Sequence, residues 1–383
     1  MRGSSAGVAG LLLWVSTAAA PPTAVGVLSS HPGAAGFAQA QTPLPIAFPK
    51  DHGPHHEFRQ EWWYVTGNLE GERGERFGFE LTFFRFALAP PHAAVSAAAP
   101  AQASAWRARE IYMAHFAITD PARRRFRFSQ KFERAALDLA GAQGSPFKVW
   151  LDDWSLREED RAAEGPSAST WTLSAAQPGY AIQLELAPQQ APVLNGQAGL
   201  SRKSDEVGSA SYYYSVPRLA VRGRLVRDGH SFAVTGLAWL DREWGSGGLG
   251  QAQAGWDWFA VQLNDGSSFM FYALRSADGR RDVHSAGTWV SASGAARPLA
   301  NEDVAVAVTG EWRNAHGERY PARWHILVPE LALDLNVRPL LADQELQTSP
   351  PYWEGAVDVS GERAGKSIAG RGYVELVGYA KER

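Results

Sequence analysis

The sequence predicts an all-β protein built as two antiparallel barrels side by side. Three observations carry that reading. After residue 41 the chain is a succession of short alternating runs separated by Gly, Pro or Asp-Gly. Beyond the first 40 residues no segment sustains a helical period for three turns. Finally, one tryptophan-rich hairpin occurs twice. WWYVTGNLEG (62–71) leads through a turn to FELTFFR (79–85), and WDWFAVQLNDG (256–266) leads to FMFYALR (269–275). With Trp62 aligned to Trp256 and Arg85 to Arg275, the first turn is longer by four residues. Asn264-Asp265-Gly266 is a tight-hairpin signal, and Glu70 to Glu75 is its expanded counterpart. Two copies of one hairpin imply two similar domains meeting near residue 220. Closed barrels remove sheet edges and offer a mouth to an apolar ligand.

Taken in order, residues 1–40 read as leader and linker: Arg2, an apolar stretch from Ala6 to Ala20, then small residues, with cleavage after Ala20 or Ala40. That implies export to the periplasm or beyond. Residues 41–220 form the first domain and 221–383 the second. In the first, Asp51 to Pro54 reads as a turn and Glu61 to Thr66 as a strand with bulk on both faces: Trp62, Tyr64 and Thr66 on one, Glu61, Trp63 and Val65 on the other. Strands follow at 77–86, 111–118, 126–132 and 180–186, with long loops at 87–109, 158–170 and 188–211. The second domain continues with strands at 221–225, 232–240, 258–263, 269–275, 304–312, 323–328 and 373–379.

Composition excludes several functions. With no cysteine there is no disulfide, thiolate metal site or cysteine nucleophile. A net charge of -3 without a broad basic field excludes nucleic acid as a partner. Fifteen tryptophans imply a large aromatic core or a cavity for an apolar ligand.

The second half holds the densest chemistry, GLAWLDREWGSG (236–247) running on to Trp256 and Trp258. Alternation puts Asp241 and Glu243 on one face, walled by Trp239, Trp256 and Trp258, with Arg242 and Trp244 on the other. Two carboxylates in an apolar wall raise each other's proton affinity; alternatively one of them pairs with an arginine. Glu61 is the first-half counterpart of such an acid, or else it caps the loop before it. His115, in an apolar strand, is either a proton carrier or a satisfied core histidine. His52, His55 and His56 lie in a Pro-Gly turn without helical metal spacing, so they are read as fixing a loop across the barrel mouth through a backbone carbonyl, with no metal. A metal-dependent secreted hydrolase using them is the alternative. Gly245 to Gly250 fits G-x-G-x-x-G, but no helix follows it. Residues 361–367 fall one short of a phosphate loop, and no G-x-S-x-G occurs.

DHGPHHEFRQEWWYVTGNL (51–69), YYYS (212–215), GLAWLDREWGSG, the 256–266 hairpin, YWEGAVDVSG (352–361) and GRGYVELVGY (370–379) together resemble the AttH-like family, which includes carotenoid 1,2-hydratases and kievitone hydratases. The resemblance implies two lipocalin-like antiparallel β-barrel domains. It also implies an apolar, isoprenoid or lipid-like ligand and a hydratase-type lyase activity, or else a lipid carrier that partners a membrane transporter. In the hydratase reading no cofactor is needed. Asp241 or Glu243 protonates a C=C bond, Asp257 or Glu61 activates water, and the rings of Trp244, Trp256 or Trp258 steady the cation. Trp62, Trp63, Tyr64, Trp239 and Tyr214 complete the expected ligand wall. This chain has Arg242 where those hydratases tend to show His, and Arg stays charged at neutral pH.

Overall fold

The computed structural model describes residues 35–91, 108–159 and 170–380. Most of the expected leader, the alternative cleavage point after Ala20, and most of two expected loops lie outside them. Ala40, at the end of the expected leader, is buried against the first core.

Nine strands position the site: β1 (Gln60–Gly71), β2 (Arg76–Ala87), β3 (Glu110–Asp120), β4 (Ala210–Arg227), β5 (His230–Gly245), β6 (Gln253–Leu263), β7 (Ser268–Ser276), β8 (Tyr352–Arg363) and β9 (Lys366–Val377). Among the described residues they belong to two antiparallel sheets, a nearly closed barrel and a half-barrel. The first runs from Arg125–Arg134 through β3, β2, β1, β5 and β4 to Tyr180–Pro188, Trp171–Gln177, Trp154–Glu158, Phe147–Leu151 and Ala140–Gly144. The second runs from Ala296–Leu299 and Ala286–Val290 through β7, β6, β9 and β8 to Leu333–Pro339, Arg319–Val328 and Ala305–Arg313.

The two orders match over nine strands, with β1 corresponding to β6, β2 to β7, β5 to β9 and β4 to β8, and the first sheet adds Phe147–Leu151 and Ala140–Gly144 beyond them. The hairpin repeat is therefore part of a larger repeat of sheet order. Even its register is kept: Trp62 pairs with Phe84 and Glu61 with Arg85, while Trp256 pairs with Leu274 and Gly255 with Arg275.

The expected domain boundary at 220 falls inside β4, which pairs along its length with β5 and stays in the first sheet. The chain passes to the second sheet at 246–252. Composition could not place that point, because β5 closes the first barrel against β1, far away in sequence. The run expected as loop at 188–211 also contributes two short pairings to β4, at Val193–Leu194 and Leu200–Arg202.

Strand alternation builds four apolar clusters. Trp63, Val65, Phe83 and Leu240 fill the first barrel, and Phe259, Val261, Trp324 and Trp353 the second. The opposite faces of the same strands meet between them: Tyr64, Tyr213, Trp239, Trp258 and Tyr373 in one cluster, Phe84, Met113 and Tyr352 in another. Both faces of β1 and β6 are thus buried, which is why they carry bulky residues at consecutive positions. Close approach at this layer demands glycine at Gly78, where an added Cβ would stand 2.4 Å from the Cβ of Ala356.

Candidate functional site

At one end the layer between the barrels opens into a cleft of about 930 Å³ when the open space at its mouth is included. Its first-barrel wall is Trp62, Tyr64, Phe84, Tyr213, Asp241 and Glu243; its second-barrel wall is Trp256, Trp258, Tyr272, Leu274 and Glu375. The walls follow from register. Trp62 lies opposite Glu243 and Tyr64 opposite Asp241 across β1 and β5, and Trp258 lies opposite Glu375 across β6 and β9. Since Trp62 corresponds to Trp256, Tyr64 corresponds to Trp258 and Asp241 to Glu375. The two acids are equivalent residues of the two halves, facing one cleft from opposite walls.

Their surroundings favour the protonated form. Burial pushes Asp241 up to about 7, against hydrogen bonds donated by Ser215, Tyr213 and Trp239 (Nε1 to Oδ1, 2.6 Å). Burial likewise pushes Glu375 up to about 7, and the charges of Asp241 and Glu243 add to this. Glu375 accepts from Trp256 Nε1 at 2.7 Å. Glu243 is treated differently: Lys203 Nζ lies 3.1 Å away and Ser211 donates to it. Burial works against the Lys203 charge, but Glu243 outweighs it and the ammonium is held above its ordinary value. Beneath the cleft two further acids lie in the layer. Burial lifts Glu80 to about 8, while Glu354, opposite Glu375 across β8 and β9, is pushed well up by burial and by Glu375 and Glu80. Tyr64 donates to Glu354, and Thr82 to Glu80 at 2.6 Å.

The family model described as AttH-like matches residues 39–379. The chain belongs to the AttH-like family. The structure of an AttH protein from Nitrosomonas europaea is similar, with a TM-score of 0.76, 37% identity, and coverage of 90% of this chain and 100% of that one. Kievitone hydratase from Nectria haematococca has a TM-score of 0.64 at 15% identity, over 90% of this chain and 98% of its own, which shows a shared fold. Among curated proteins none matches the chain.

In this AttH-like chain the expected site residues separate into four places. Asp241, Glu243, Trp62, Tyr64, Trp256 and Trp258 line the cleft, and Trp239 stands behind them, bonded to Asp241. Glu61, Trp63, Trp244 and Tyr214 do not reach it; they sit at one end of the first barrel. There Glu61 is fully buried between Arg85 and Arg242. Burial alone would raise its proton affinity, but the two guanidiniums overcome that and hold the carboxyl well below its usual range. Arg242 lies 3.8 Å over the ring of Trp63. Arg242 therefore points into the barrel and not into the cleft.

The 51–58 segment closes this barrel end, though not through a histidine-to-carbonyl bond. His52 Nδ1 meets Tyr214 OH at 2.7 Å, His55 stacks on Trp244 at 3.9 Å and contacts Asp51 and Glu61, and His56 meets Glu110 at 2.7 Å. The three rings diverge. Among the described residues no three such side chains converge on a metal position.

Asp257 makes a comparable plug in the second barrel, bonded to Arg275 (3.1 Å) and Tyr379 (2.9 Å), though here burial outweighs the one guanidinium and the carboxyl is raised. Its face is the one that alternation turns away from the cleft. His115 lies between the barrels but off the cleft, fully buried against Tyr352 OH at 2.7 Å, and burial lowers it to about 3.

Sequence reasoning overlooked Glu375, Lys203, Tyr213 and the buried Glu80 and Glu354. A signal for Glu375 was present. Trp239-Leu240-Asp241 and Tyr373-Val374-Glu375 are the same aromatic, aliphatic, acid triplet in the closing strands of the two halves. Extending the repeat beyond its hairpin would have found it.

Proposed function

We propose that this protein binds an apolar, isoprenoid- or lipid-like ligand in the cleft and adds water across a C=C bond. One observation carries the reading: equivalent carboxylates, Asp241 and Glu375, face each other over an aromatic cleft, and both titrate near neutrality. A pair poised there can hold one proton between them, supplying an acid and a base at once.

Glu375, which takes a single hydrogen bond, donates its proton to one alkene carbon. The cation on the neighbouring carbon meets the ring faces of Trp62 and Trp258. Water then forms the C–O bond and loses a proton to Asp241, whose anion is steadied by three donors. The alkene has gained H and OH; Glu375 has become carboxylate and Asp241 carboxylic acid, and return of one proton resets the pair. The name of the fold relative, kievitone hydratase, agrees with this class of reaction.

The test is incubation with isoprenoid alkenes in ¹⁸O-water, scored by label in a product hydroxyl. Glu375→Gln and Asp241→Asn should each lower turnover by roughly 10²-fold or more. Full turnover in both variants would end the assignment.

An exported carrier working with a membrane transporter uses the same cleft without the acids. Broad quenching of tryptophan fluorescence by apolar ligands, with no labelled product, would favour it.

A further inference from the structure

The cleft holds more negative than positive side chains, and this bears on which apolar ligand it takes. Among the described residues that line it, Asp241, Glu243 and Glu375 stand against one cation, Lys203. That ammonium is already committed, 3.1 Å from Glu243 and 3.0 Å from Ser201. The buried arginines nearby are no help to an anion. Arg242 is turned into the first barrel toward Glu61, and Arg275 toward Asp257 in the second.

The aromatic walls reinforce this bias. Trp256 Nε1 is spent on Glu375 at 2.7 Å, Trp258 Nε1 on Tyr213 OH at 3.1 Å, and Tyr213 OH on Asp241. With their donors occupied by the protein, these side chains offer a ligand their π faces, which attract cations and have nothing to give an anion.

We propose that the cleft selects apolar ligands that carry a positive charge, in particular tertiary or quaternary alkylammonium groups, over neutral or anionic ligands of the same chain length. The proposal rests on the reading of the cleft as an apolar-ligand site and narrows its ligand class. A quaternary ammonium has no N–H to satisfy, so rings can replace its water. Asp241 and Glu375 on opposite walls supply the counter-charge. An anion placed there would meet like charge from both walls.

The test uses the full chain and three probes well below micelle-forming concentrations: octyltrimethylammonium, octanol and octyl sulfate. Dissociation constants are read from tryptophan fluorescence at pH 8. Octyltrimethylammonium should bind about tenfold tighter than octanol, and octyl sulfate weaker than either. Glu375→Gln, checked for folding by circular dichroism, should reduce the ammonium-to-octanol preference severalfold, and Asp241→Asn provides the same test from the other wall. Octanol or octyl sulfate binding as tightly as the ammonium would overturn the selectivity while leaving an apolar-ligand site. Binding of none of the three would overturn both.

Discussion

Glu80 should make the protein less stable as pH rises from 5 to 8, and Glu80→Gln should remove that loss. The carboxyl is fully buried between the barrels, with Thr82 and Tyr352 donating to Oε1 at 2.6 and 3.4 Å and no hydrogen-bond partner on Oε2. Burial moves it from an ordinary 4.5 to about 8. A raised acid keeps its proton in the folded state after the unfolded chain has released it. Its stabilising contribution is therefore complete below pH 4.5 and is lost as pH climbs through about 8. At 1.36 kcal/mol per pKa unit the loss is about 1 kcal/mol at pH 5 and about 3 at pH 7. Glutamine keeps the acceptor for Thr82 and Tyr352 but cannot ionise, so it shifts the level of stability without its slope. Urea unfolding followed by tryptophan fluorescence at pH 5, 6, 7 and 8 measures both proteins. The gap between variant and wild type should widen by about 2 kcal/mol from pH 5 to 7 in favour of the variant. Curves that stay parallel over that range would show that Glu80 is not held protonated.

His115 predicts a slope of the opposite sign. Burial lowers it from 6.5 to about 3, so stability is lost as pH falls below 6.5. His115→Gln should recover about 2 kcal/mol at pH 5 in the same urea assay, and an unchanged acid limb would refute the burial argument. Glu61→Gln should destabilise by roughly 3–5 kcal/mol at pH 7, because two fully buried guanidiniums lose their shared counter-charge. Because that carboxyl is held low, the cost should shrink as pH falls below 4.5. A midpoint within about 0.5 kcal/mol of wild type would mean that water reaches the barrel end.

Much of the fold was legible because its signals are local. Asn264-Asp265-Gly266 closes a tight hairpin between β6 and β7, and alternation in 61–66 divides Trp62 and Tyr64 from Trp63 and Val65 as the structure divides them. The same alternation separated Asp241 and Glu243 from Arg242 and Trp244. What failed was assigning a neighbourhood to each face. Glu61, read either as an acid of the cleft or as a cap on the loop before it, takes the second role and accepts from His55 N at 3.0 Å. Asp257 was placed with the acids of the cleft, yet its neighbour Trp256 faces the cleft and adjacency along a strand puts a residue on the opposite face. The boundary at 220 failed for a related reason, since β5 belongs with β1, about 180 residues earlier by its register.

Acids occur in both kinds of place, but the repeat relates only those of the cleft, since by register Glu61 corresponds to Gly255 and Asp257 to Trp63. Each half carries a carboxylate at its barrel end, Glu61 or Asp257, and each pairs it with the arginine of its own hairpin, Arg85 or Arg275. Each half also carries a carboxylate on the outer face of its closing strand, Asp241 or Glu375, and there no arginine is supplied. Two guanidiniums overcome burial and hold Glu61 low, whereas burial outweighs the single Arg275 and raises Asp257; both pairs tie the carboxylate to its barrel end. The cleft acids, without an arginine, move toward neutrality, where they can give or take a proton. Stability and proton transfer are thus assigned to opposite faces of the same strands. Bringing the two outer faces together is what places two titrating acids on one ligand, an arrangement that neither half achieves alone.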